Sequence, residues 1–232
     1  MPKPLPLIVS SNKLDLVNIF RGYLLRSSYG YVPMVSSISK QIIKNVIIHK
    51  SFYTAFTRYE KIKPTKVSTA IDNLTNNIYD YFSKPFIKIK HKYDEWFKIT
   101  GDKFLDDCRT VNVIKKFGTA QKIINVTMKH LYCYNINDNY FKYCHVALDS
   151  MTYTGRKINA LDNGFYVCEV DKNAVVKSFS NLDWDEYYMI QNKIRDYLSK
   201  SVHLYGNYKD TYTNVNLTPF KAEFYIWPRY KK

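Results

Sequence analysis

Glycine is scarce in this chain, with 7 among 232 residues. Few glycines mean few positions built for tight turns, so helices joined by ordinary loops are expected. Long apolar runs are missing too. None approaches the ~20 residues that cross a bilayer, and no predicted helix sets a basic face against a strongly apolar one. Membrane binding is therefore not expected. The apolar run near the start, Leu5 to Val9, is broken by Pro6 and is too short for a secretory core. The four cysteines, Cys108, Cys133, Cys144 and Cys168, contain no C-x-x-C pair and fit no zinc or iron–sulfur spacing. They read as reduced, buried thiols in a cytoplasm, and no metal or cofactor is expected. Cys144-His145 beside Cys133 is the nearest approach to a ligand set, and it reads as structural.

Acidic residues are also few, 20 against 35 basic ones, which leaves a net charge of +15. Such an excess points to a polyanionic partner, with nucleic acid the usual one. Apolar residues make up 46% of the chain, enough for a core without disulfides. The 22 tyrosines, with frequent Lys, Ile and Asn, carry the bias of an AT-rich coding sequence.

Apolar spacing predicts helices over Leu14–Arg26, from Ser36 or Ser37 through Phe56, and over Ser68–Phe82. A further helix over Phe86–Ile99 is expected to stop at Gly101, with another over Asp102–Cys108 and a short turn over Val111–Ile114. A long helix then begins in FGTAQKIINVTMKHLYC, with Ala120, Ile123, Ile124, Thr127 and Leu131 as its core face. Lys122, Asn125 and Lys129 lie on the opposite side. Gly164–Val170 and Ala174–Phe179 alternate as a small β-hairpin. Ser180 with Asp183 resembles a capping box before a helix striped by Trp184, Tyr187, Gln191, Ile194 and Leu198. Basic KIKPTK, with Pro64, marks a candidate boundary.

One ordered series carries chemistry. The turn Lys115-Lys116-Phe117-Gly118-Thr119 leads into a helix whose first turn holds Gln121 and Lys122, and Asp149 follows after a loop, placed to cap a short helix. A helix start offers unsatisfied N–H groups and a positive end to a phosphate. Gly118 permits close backbone approach, Thr119 can bond a phosphate oxygen, and the lysines add charge. A lysine among cations can serve as an amine nucleophile. An aspartate beside it can stabilise a sugar that becomes positive as its base departs.

This order resembles the helix–hairpin–helix DNA glycosylase superfamily, and Gln121-Lys122 with Lys129 looks most like the archaeal 8-oxoguanine glycosylase branch. The similarity covers Val111 to Met151. Where that family has apolar-Pro-Gly-apolar-Gly, this chain has Ile114-Lys115-Lys116-Phe117-Gly118. The resemblance implies Lys122 as nucleophile at C1′ and Asp149 as its catalytic partner. Lys115, Lys116, Phe117, Gly118, Thr119, Gln121 and Lys129 would contact double-stranded DNA with one nucleotide flipped out. Abasic-site lyase activity is possible with such a lysine. An oxidised purine is the implied substrate, and a virally modified base, met in defence against phage, is the other. The alternative is a non-catalytic nucleic-acid-binding protein that uses the same basic element for docking.

The expected fold is mostly α: a two-lobed helical bundle with a helix–hairpin–helix element and a small β-hairpin insertion. Residues 1–232 form one domain, with lobes at 1–63 plus 180–232 and at 64–179, the latter containing the hairpin element at 111–134. The protein is expected to act as a monomer.

Overall fold

The computed structural model describes residues 38–52, 55, 63–85, 87, 89–109, 114, 116–134, 137–149, 178–199 and 218–226. The helix expected over Leu14–Arg26, Lys115, Cys168, most of the Val111–Ile114 turn and nearly all of the β-hairpin lie outside these residues. The described part is mostly helical and contains no strand.

Helix α1, Lys40–Val46, starts where Ser39 is extended (φ −119°, ψ 159°) and its Oγ accepts from the Ile42 N–H at 3.3 Å. That bond satisfies one of the orphan amides of the first turn. The helix then widens into a π turn, Ile47–Phe52, which packs mainly on the helix Phe117–Tyr132. There Ser51 Oγ meets Thr127 Oγ1 at 2.7 Å in the core. A 3-10 turn, Pro64–Val67, opens α2, Ser68–Ser83, with proline in the first turn, where its missing N–H loses nothing. Ile71, Leu74, Ile78 and Tyr81 are buried on α2, as their spacing predicts, and Ala70 and Phe82 are buried with them.

Helix α3 runs unbroken from Lys90 to Arg109, so Gly101 does not stop a helix. It answers a packing need instead. A Cβ built on Gly101 would stand 2.5 Å from Cε2 of Phe117, so the missing side chain lets α3 pass the aromatic ring. The long expected helix is α4, Phe117–Tyr132. Helix α5, Trp184–Ser199, starts with a capping box three residues later than expected. Asp183 N–H donates to Glu186 Oε2 at 3.1 Å, and Glu186 N–H donates to Asp183 Oδ1 at 2.9 Å. Ser180 belongs to the preceding 3-10 turn, Phe179–Asn181. Helix α6, Pro219–Ile226, brings Phe220 onto Phe141 in a stack 5.6 Å between centroids.

The buried apolar residues form one connected cluster from Ile43 to Phe220, and α4 runs through it. The expected core face of α4 is buried, but so is the other side. Among its residues only Thr119 is not buried. The polar face of Lys122, Asn125 and Lys129 is therefore not a solvated face, and its groups need partners inside the protein.

Candidate functional site around the central helix

Residues 144–148 have no regular secondary structure, Asp149 sits at a bend, all six are buried, and among the described residues there is no strand to pair with them. Their peptide groups must bond to something, because water is excluded. Side chains take the role of the missing strand. Gln191 of α5 accepts from the Val146 N–H at 3.2 Å and donates to its C=O at 2.9 Å. Gln121 of α4 does the same for Leu148, accepting at 3.2 Å and donating at 2.8 Å. Each carboxamide thus exchanges two bonds with one residue, as paired residues do in an antiparallel ladder. Ala147 N–H donates instead to Glu223 Oε2 of α6, at 3.0 Å.

A second polar row lies beside this clamp. Asn125 Nδ2 donates to Tyr187 Oη at 2.9 Å. Tyr187 Oη meets His145 Nδ1 at 2.8 Å, and His145 Nε2 meets Asp94 Oδ1 at 2.7 Å. Arg195 Nη2 donates to the same Asp94 oxygen at 2.8 Å. Burial pushes the His145 imidazole down to about 4, against the pull of Asp94, so the ring is neutral at pH 7. Burial also works to raise Asp94, but hydrogen bonds from His145 and Arg195 outweigh it and hold the carboxyl at about 2. An ionised Asp94 only accepts, which assigns the single imidazole proton to Nε2. Nδ1 then accepts from the Tyr187 hydroxyl, which accepts from Asn125. All protons in the row point the same way, from α4 towards Asp94.

Lys122 and Asp149 each follow a clamp residue directly. Gln121 precedes Lys122, Leu148 precedes Asp149, and the two clamp residues are bonded twice to each other. Lys122 is 8% exposed and Asp149 3%. The Lys122 Nζ stands 5.0 Å from the centroid of the Phe179 ring.

The turn before α4 is occupied by the chain itself. Gly118 N–H donates to Leu182 C=O at 2.9 Å, and a Cβ on Gly118 would fall 1.7 Å from the Phe179 carbonyl oxygen. The close approach that glycine allows is therefore made by residues 179–182, where a phosphate was expected. Phe117 is buried against Trp184, Tyr187 and Phe97, Thr119 is half-buried, and Lys116 is exposed. Gln121, expected to touch DNA, also donates to Gly118 C=O at 2.9 Å and accepts from Asn125 at 3.0 Å. Two donors and two acceptor sites are the whole capacity of a carboxamide. Lys129, also expected to contact DNA, is 3% exposed and pairs with Glu223 Oε1 at 2.5 Å.

Sequence reasoning passed over Asp94, Arg195 and Glu223, and weighed His145 only as a metal ligand beside Cys144 before reading it as structural. Gln191 gave a signal, a polar residue inside an apolar helical stripe. His145 gave another, in the apolar run CHVALD. Cys108, Cys133 and Cys144 are buried free thiols, and burial pushes Cys108 and Cys144 up to about 12. Among the described residues no group of His, Cys, Asp and Glu could hold a metal ion, and no helix is long and apolar enough to cross a membrane. No family model, curated protein or solved structure matches the chain.

Proposed function

We propose that this chain is a DNA glycosylase that excises a damaged or modified base from double-stranded DNA. The observation that supports the reading is the Gln121–Leu148 clamp, which ties the first turn of α4 to the segment before Asp149, so that Lys122 and Asp149 each directly follow one of two bonded residues. The net charge of +15 suits a DNA partner. In the reaction the deprotonated Lys122 amine forms a bond to C1′ as the C1′–N bond to the base breaks. The base leaves with the bonding pair and takes up a proton. Loss of a proton from the new secondary amine and opening of the sugar give a Schiff base, the intermediate of a lyase step. Asp149 carries the negative charge that steadies the sugar while it is positive. The Phe179 ring has to move aside for deoxyribose to reach Nζ.

The test is incubation of the protein with duplexes carrying modified bases, with and without borohydride. A trapped covalent adduct is expected with wild type and none with Lys122→Gln; Asp149→Asn should lose at least about 100-fold in excision. An adduct that survives Lys122→Gln removes this lysine from the chemistry, and no abasic product from any modified duplex removes the enzyme. The near-complete burial of both residues favours a second reading, a non-catalytic nucleic-acid-binding protein. On that reading DNA retention falls steeply with salt and Asp149→Asn changes nothing that depends on DNA.

A further inference from the structure

Glu223 is fully buried in a short helix remote in sequence from every residue it meets. Its two oxygens serve two different elements. Oε1 takes the Lys129 ammonium at 2.5 Å, and Oε2 takes the Ala147 N–H at 3.0 Å. Stability alone does not call for this arrangement, since a well-packed apolar pair of similar volume usually holds a core as well as a buried ion pair. What the carboxylate adds is a second acceptor, aimed at a peptide two residues before Asp149. Gln121 and Gln191 hold Leu148 and Val146, and Glu223 holds the intervening Ala147. The segment is therefore gripped at three successive residues from three helices. Burial raises the proton affinity of Glu223 and the Asp149 charge adds to that rise, so the two carboxylates lie within electrostatic reach.

We propose that Glu223 is a positioning residue: by fixing the Ala147 peptide it sets where the Asp149 carboxylate stands, and Lys129 is the counter-charge that lets an ionised acceptor sit there. The catalytic consequence rests on the glycosylase reading. The positioning itself can be tested without activity.

The experiment compares two full-length double variants. Lys129→Met with Glu223→Gln removes both charges but keeps an acceptor for Ala147. Lys129→Met with Glu223→Met removes the charges and the acceptor. Both are expected to fold, as judged by far-UV circular dichroism and urea midpoints. The Ala147 amide should exchange its hydrogen at least about 10-fold faster in the Met/Met protein than in the Met/Gln protein. Excision by Met/Met should fall about 100-fold in kcat below that by Met/Gln, with the Kd of the two variants for the duplex equal, the effect expected of a reacting group displaced by about an ångström. Equal Ala147 exchange in the two variants overturns the positioning, and equal excision overturns its role in catalysis. If wild-type protein makes no abasic product, the glycosylase reading fails, and unequal exchange in the same samples still upholds the hold on Asp149's segment.

Discussion

Helices α3 and α4 cross at Gly101 and Phe117, yet they solve opposite problems. Eight of the twenty residues of α3 are buried, and its outer side carries Lys92, Glu95, Lys98, Lys103 and Asp106. Fifteen of the sixteen residues of α4 are buried. On the outer side of α3 a charge meets water and a helical neighbour, as in the Lys98–Asp102 and Arg109–Asp106 pairs, while Asp94 on its inner side is held by His145 and Arg195. On α4 the side chains of Gln121, Asn125, Thr127 and Lys129 bond to partners within the protein. The same residue types therefore mean different things on the two helices. Lys92 and Lys103 on α3 lie on an exposed face, whereas Lys129 on α4 is half of a buried ion pair.

That contrast sets the expected size of each substitution. Gly118→Ala should be the most damaging, because the new methyl meets main-chain atoms of Phe179 and Leu182 that cannot turn away. A loss of about 3 kcal/mol or more is expected in urea unfolding. Gly101→Ala meets only the edge of the Phe117 ring, and should cost less in the same assay. The reverse order would break the account of both glycines.

Gln191→Leu comes next. It strands the N–H of Val146 in the core, at roughly 1–3 kcal/mol, while the C=O keeps only the longer bond from Asn125 at 3.3 Å. A midpoint within error of wild type would mean that the clamp is not holding the segment.

Acid sharpens the comparison further. Burial depresses His145 to about 4 and His130 to about 3, with Lys129 and Lys50 adding to the effect at His130. Between these values and about 6.5 the unfolded chain binds protons that the folded chain refuses, so stability is full above pH 6.5 and falls on acidification. The expected slope is about 1.4 kcal/mol per pH unit for each histidine. Asp94 adds a loss below about pH 3.8, as the solution passes towards its folded value of about 2. Glu223 works in the opposite direction, because its raised proton affinity favours the fold at low pH. His145→Gln should flatten the profile above pH 4 by one histidine's share, and an unchanged slope would contradict the neutral imidazole. The smallest effect belongs to α3. Asp102→Asn removes an exposed i,i+4 pair and should shift stability by no more than about 0.5 kcal/mol.

The helices were legible where one face alone is buried. Ile71, Leu74 and Ile78 announce α2, and the stripe Tyr187, Gln191 and Ile194 announces α5, because period and burial coincide there. In α4 the stripe Ala120, Ile123, Ile124, Thr127 and Leu131 correctly marks one buried side, but periodicity has no means of reporting that the opposite side is buried as well. A solvated lysine and an ion-paired lysine look alike until the partner is known, and Glu223 lies 94 residues from Lys129. Gly101 looked like a stop because glycine is a poor helix former. The reason it is tolerated sits in Phe117, on another helix. Of the candidate site, the order of Lys122 and Asp149 could be read from the chain, as could the place of Lys122 in the first turn of a helix; the short helix expected after Asp149 lies outside the described residues. The Gln121–Leu148 bonds that bring those elements together could not, since they depend on where a buried peptide runs.

The segment before Asp149 also constrains how this sequence can change. Gln121, Gln191 and Glu223 hold main-chain groups, which every residue except proline supplies in full. Their grip is indifferent to which side chains occupy 146, 147 and 148, provided these fit the space. Length is another matter. Adding or deleting one residue between His145 and Asp149 would put the peptides held by Gln121, Gln191 and Glu223 out of step with those side chains. This stretch can thus drift in composition while its residue count stays fixed, like a ruler whose markings matter and whose material does not.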